Sequence, residues 1–119
     1  MVDTALRETR EEIGVALRRE QVLGILTDLY IPPSNITVTP VIAMIDQKPI
    51  YKPDPSEVAA TFDISLNELQ QPGNITELEV GRFNETPLDA PAFVIRKKII
   101  WGATAMMLSE FLEIIKELD

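Results

Sequence analysis

The chain of 119 residues contains no cysteine and no histidine. Disulfides and thiolate metal sites are therefore excluded. So are imidazole catalysis and most zinc sites, because zinc is held chiefly by sulfur and imidazole nitrogen. A metal bound here must be held by oxygen, which favours magnesium or manganese. Basic residues are also scarce. Lys+Arg 11 against Asp+Glu 19 gives a formal charge of −8, the wrong sign for a nucleic-acid partner. No apolar run approaches the roughly 18 residues that a membrane helix needs, and the first residues lack a signal-peptide pattern. The expectation is a cytoplasmic protein with no membrane partner. The length suits one domain over 1–119, and 45% hydrophobic residues suffice for a core.

What is abundant is acid at one spacing. Arg7-Glu8-Thr9-Arg10-Glu11-Glu12-Ile13-Gly14-Val15 places Glu8, Glu11 and Glu12 at i, i+3 and i+4. On a helix those positions share a face, so the three carboxylates can converge on one divalent cation. Ala5 and Leu6 favour the helix, and Arg7 and Arg10 offset the acidic charge. Val2, Leu6, Thr9 and Ile13 form the opposite stripe, directed at a core, and Gly14 can end the helix in a left-handed conformation. The competing reading is a solvated helix with ordinary pairs such as Arg7–Glu11, also i, i+4.

Further along, Val22 to Tyr30 and Ile36 to Ile45 read as two strands of an antiparallel hairpin. Ile31-Pro32-Pro33-Ser34-Asn35 forms the turn between them, and Pro40 marks a bulge or an edge. Asp46 to Ser56 is a loop punctuated by Pro49, Pro53 and Pro55. Glu57 to Ile64 could be strand or helix. Ser65-Leu66-Asn67-Glu68-Leu69 has the form of a short helix with a capping box, Ser65 as the N-cap and Glu68 reaching back, and Gln71 to Asn74 ends it as a turn. Strands are expected at Ile75 to Arg82 and Ala92 to Ile95, separated by a loop holding Pro87 and Pro91. A final helix is expected over roughly Ala103 to Leu118, with Ala105, Leu108, Phe111 or Leu112, and Ile115 on one face. This order of elements predicts an α+β fold with a mostly antiparallel or mixed sheet.

The order R-E-x-x-E-E-x-G-V resembles the second half of the Nudix box, R-E-U-x-E-E-x-G-U with U aliphatic, Thr9 standing at one aliphatic position. The box's earlier glutamate would fall just before Met1, so the chain is read as the C-terminal part of a Nudix domain. Three later segments are similar to the coenzyme A pyrophosphatase group of that superfamily. These are Thr39-Pro40-Val41-Ile42-Ala43, then Pro55-Ser56-Glu57-Val58-Ala59 running into Phe62 to Leu69, and Ile100-Trp101-Gly102-Ala103-Thr104-Ala105. Trp101 is read first as a core residue.

The resemblance implies a mixed sheet flanked by helices in an α/β/α sandwich, N-terminally truncated in this chain. It also implies Mg2+- or Mn2+-dependent hydrolysis of a pyrophosphate linkage in a nucleoside diphosphate derivative, coenzyme A or a derivative of it before others. Glu8 and Glu12 would be metal ligands, with Glu11 assisting directly or through water. Arg7 would orient a carboxylate, and Glu57 would be a general base or additional ligand. With half the box missing, impaired activity and a homodimer pairing exposed sheet edges are the expectations. The reading from a different class is a non-catalytic α+β interaction module with a chance glutamate cluster.

Overall fold

The computed structural model describes residues 1–31 and 34–118. Runs of strands separated by helices make up its order of elements, as the α+β class requires. By its contacts the chain divides into two compact units, Met1–Asp63 and Ile64–Asp119.

The first unit opens with helix α1, Val2–Ile13. It ends where expected. Gly14 adopts φ 72, ψ 18, and its N–H closes the last turn on the Arg10 carbonyl at 3.0 Å, the left-handed stop that a residue without Cβ takes at little cost. The stripe Val2, Leu6, Thr9 and Ile13 is half-buried rather than buried. The Thr9 hydroxyl spends its hydrogen bond on the Ala5 carbonyl one turn back, at 2.8 Å. A short 3-10 turn, Arg19–Gln21, is tied to the start of α1 by the ion pair of Arg19 with Asp3.

The two long strands expected next are each broken in two. They become β1 Val22–Ile25, β2 Leu29–Ile31, β3 Ile36–Val38 and β4 Val41–Ala43. The hairpin itself is present, β2 pairing antiparallel with β3 and β1 with β4. Pro40 is the physical reason for the break, since it has no N–H to give the ladder. At its level the Leu26 amide donates to the Pro40 carbonyl at 2.9 Å, and the Thr39 hydroxyl donates to Asp28 at 2.6 Å. Of the turn read from the sequence, Pro32 and Pro33 lie outside the described residues. Its last member, Asn35, has φ 54 and accepts the Tyr30 hydroxyl at 2.7 Å. Glu57 to Ile64 is neither strand nor helix; a turn over 55–57 leads into irregular backbone.

The second unit starts with α2, Leu66–Gln70, and the capping box is formed as read. Ser65 Oγ accepts the Glu68 amide at 3.1 Å, and Glu68 Oε1 accepts the Ser65 amide at 3.2 Å. A 3-10 turn at Pro72–Asn74 leads to the antiparallel meander β5 Ile75–Phe83, β6 Thr86–Ile95 and β7 Lys98–Ile100.

Pro87 and Pro91 lie inside β6, not in a loop. Among the described residues β7 pairs only with Phe93, Val94 and Ile95, so along 86–92 β6 has a described partner on one side alone. Proline is tolerated where its nitrogen faces such an unpaired side. Both turns of the meander use consecutive residues of positive φ, Asn84 and Glu85, then Arg96 and Lys97, the geometry that matches strand twist in two-residue hairpins.

Helix α3, Gly102–Leu118, closes this unit. Leu69, Phe93, Ile95 and Ala105 form its core, with Ile64, Ile100, Leu108 and Leu112 packed around them. The helical spacing of Ala105, Leu108 and Leu112 thus predicted the inward face. Trp101 does not join this core. It is 61% exposed, because it sits at the corner between β7 and α3, where Gly102 turns the chain with φ +69. No helix among the described residues is long and apolar enough to cross a membrane.

Candidate active site

The site residues read from the sequence all lie in the first unit. Glu8, Glu11 and Glu12 are exposed on α1. Arg7 is among them, its Nε 3.7 Å from Glu11 Oε1 and its Nη2 4.0 Å from Glu8 Oε1. The guanidinium therefore lies between two carboxylates that would otherwise repel each other. Glu11 and Glu12 fall in the last turn of the helix, next to the negative end of its dipole. Carboxylates placed there raise the local negative potential, and a bound cation relieves it.

The donor chemistry suits Mg2+ or Mn2+, since every side-chain ligand on offer is a carboxylate oxygen. The side chains are not drawn together into a ready cluster: among the described residues no group of three or more acidic side chains is arranged to hold an ion. With Arg7 engaging Glu8 and Glu11, closing such a site requires those side chains to turn.

The end of α1 carries a second segment. The last carbonyls of a helix have no partner within it. Here the Ile13 carbonyl accepts the Lys52 amide at 2.8 Å, and the Glu12 carbonyl accepts the Asp54 amide at 2.8 Å. Those two amides can reach neighbouring carbonyls because Lys52 and Asp54 each precede a proline, which biases both to extended backbone. Asp54 then turns the chain. Its carbonyl accepts the amides of Glu57 at 3.0 Å and Val58 at 2.8 Å. Its Oδ1 accepts the Ser56 amide at 3.0 Å and the Ser56 hydroxyl at 2.8 Å. These hydrogen bonds from Ser56, the backbone one foremost, hold the Asp54 carboxyl below the ordinary aspartate range.

Glu57 is exposed on this turn, linked through Asp54 to the backbone of Glu12. Asp54 was not singled out from the sequence. The signal that could have found it is Pro53-Asp54-Pro55-Ser56, an aspartate locked between prolines with a hydroxyl residue two positions on, the pattern of an Asx turn.

A cleft of about 410 Å³ opens beside the same helix end, bounded by Gly14 to Leu17 and by the loop from Ile45 to Ile50. Asp63 fastens that loop. Its Oδ1 accepts the Tyr51 hydroxyl at 2.8 Å, and its Oδ2 lies 3.2 Å from Lys48 Nζ. The hydrogen bond to Asp63 raises the Tyr51 phenol above the usual tyrosine value, with lesser contributions from burial and from the Asp63 charge.

No family profile matches the chain, and no solved structure does. Individual proteins do. The chain is 35% identical over 109 residues to the human mitochondrial coenzyme A diphosphatase NUDT8, covering 90% of this chain and 46% of that protein. It is 29% identical over 110 residues to the Nudix hydrolase NudL of Pectobacterium atrosepticum, covering 92% and 56%. It is 27% identical over 128 residues to Nudix hydrolase 3 of Caenorhabditis elegans, covering 95% and 53%. The chain spans about half the length of these relatives. Along nine-tenths of its length the chain is thus similar to Nudix hydrolases, a coenzyme A diphosphatase among them.

Proposed function

We propose that the protein hydrolyses a pyrophosphate linkage in a nucleoside diphosphate derivative, coenzyme A or a close relative of it, with Mg2+ or Mn2+. The observation that carries this reading is the end of α1. There Glu8, Glu11 and Glu12 are exposed on one helix with Arg7 beside Glu8 and Glu11, and the segment that leads into the Glu57 turn is hydrogen-bonded through Lys52 and Asp54 to the carbonyls of Ile13 and Glu12. Splitting coenzyme A at that linkage yields adenosine 3′,5′-bisphosphate and phosphopantetheine. The difficulty is charge, since water must approach a phosphorus ringed by anionic oxygens; a divalent ion, when bound, neutralises the diphosphate and acidifies water.

The chain's own residues take the remaining roles. Glu8 and Glu12 hold the ion, and Glu11 assists directly or through water. Arg7 keeps the carboxylates in register, as a guanidinium fork does with carboxylate oxygens. Glu57 accepts the proton of the attacking water or adds a ligand. A homodimer and a cytoplasmic location belong to the same proposal. The human relative is named as mitochondrial.

The test is calorimetric titration of Mn2+ into the chain and into the E8Q/E12Q variant, followed by a coenzyme A assay that detects adenosine 3′,5′-bisphosphate. Binding that disappears in the variant, together with product formation, supports the proposal. Equal heats from both proteins would leave α1 as a charged surface and end it.

A further inference from the structure

We propose that Asp54 is a positioning residue that holds Glu57 against the carboxylate-bearing end of α1. The inference rests on the metal-hydrolase reading above and adds a residue to it. Asp54 uses almost all its hydrogen-bonding capacity to join two segments. Its amide is on Glu12, its carbonyl takes the amides of Glu57 and Val58, and its carboxylate takes the amide and hydroxyl of Ser56. The path from Glu12 to Glu57 is therefore two main-chain hydrogen bonds long, with one residue between them.

The flanking prolines make this fastening stiff. Pro53 and Pro55 fix their own φ and bias Lys52 and Asp54 to extended backbone. Gly14 makes room for it. A Cβ built on Gly14 would stand 2.7 Å from the Lys52 Cβ and 3.0 Å from the Lys52 carbonyl oxygen. The glycine that ends the R-E-x-x-E-E-x-G stretch thus serves two purposes at once: it stops the helix and lets the Asp54 segment lie on the stump. The exposed Glu57 is what this arrangement delivers. A loop that only closed the surface would not need its aspartate fastened to a helix carbonyl on one side and to a glutamate amide on the other.

The experiment is a Mn2+ titration of the full chain and of E57Q, D54A, D54A/E57Q and D54N, with backbone amide spectra to check that each variant is folded. E57Q is expected to weaken Mn2+ binding by about tenfold, the lower end for groups that tune a metal site. D54A keeps Glu57 and the main-chain hydrogen bonds but frees Ser56 from the carboxylate that shapes the turn, and it is expected to lose a similar factor. Because both act through one element, the double variant should be no weaker than E57Q alone. D54N keeps an acceptor oxygen for Ser56 and should recover most of the affinity, which separates positioning from a direct contribution of the Asp54 charge.

Four results overturn the inference. One is D54A binding as tightly as the parent while E8Q/E12Q does not bind, which leaves the hydrolase reading standing. Another is additive losses in D54A and E57Q, or D54N as weak as D54A. The last is no Mn2+ binding by the parent chain, which removes the hydrolase reading as well.

Discussion

A Cβ on Gly14 would come within 2.7 Å of the Cβ of Lys52, so the helix end and the proline-flanked segment fit only because position 14 has no side chain. G14A meets two penalties together. A non-glycine residue at φ 72 costs about 1–2 kcal/mol, and Lys52 must also move. The expected result is a loss of roughly 2 kcal/mol or more in denaturant unfolding, with faster hydrogen exchange at the Lys52 and Asp54 amides. An unchanged midpoint would show that the segment accommodates a methyl group without leaving the helix.

Arg7 should behave in the opposite way. Its pairs with Glu8 and Glu11 are long and more than half exposed, and such pairs contribute only about 0–1 kcal/mol. R7A is therefore expected to leave stability within about 0.5 kcal/mol while lowering the coenzyme A turnover proposed above, because the carboxylates lose the cation that separates them. A large stability loss would assign Arg7 to structure instead.

The Tyr51–Asp63 hydrogen bond makes a prediction in pH. The folded phenol titrates above the unfolded one, so the bond's contribution is complete below the ordinary tyrosine range and is lost as pH rises through the folded value. In a Y30F background, absorbance titration should find Tyr51 ionising above a free tyrosine, and D63N should bring it down. Coincident titration with and without Asp63 would contradict this.

In the second unit, the Ser65–Glu68 box starts α2. Glu68 is also fastened from two other sides, by Arg96 Nε at 3.1 Å and by the Asn74 side-chain amide on its carbonyl at 2.8 Å. S65A removes the cap and is expected to cost about 1 kcal/mol in denaturant unfolding.

Self-association is the remaining expectation. Leu23 and Ile25 of β1 are 66% and 53% exposed, and Met44 beside β4 is 63% exposed. Apolar side chains along short strands favour pairing with another chain. Light scattering at micromolar concentration should give the mass of a dimer, and a monomeric mass would remove the homodimer from the proposal.

The features legible in the sequence were those decided locally. α1 was visible in its spacing and its glycine stop, and α2 in its capping box. The inward face of α3 was visible in Ala105, Leu108 and Leu112. What escaped depends on which partner an element meets. Pro87 and Pro91 look like loop residues until β6 is known to be paired on one side there. β7 was missed because its turn uses Arg96 and Lys97 at φ 51 and 69, where sequence alone suggests glycine or asparagine. Trp101 reads as core by type and is exposed by position. In the candidate site, the carboxylates of α1 were legible as a helical face. The role of Asp54 was not, because its partner on the helix is the main-chain carbonyl of Glu12, some forty residues earlier.

The prolines of β6 have a consequence beyond tolerance. A flank with two nitrogens unable to donate is a poor template for an incoming strand. Pro87 and Pro91 interrupt the regular run of donors along the outer side of the longest strand in the meander. They act as gatekeepers against the runaway edge-to-edge stacking that seeds fibres, so any assembly of this chain is steered away from that flank of β6.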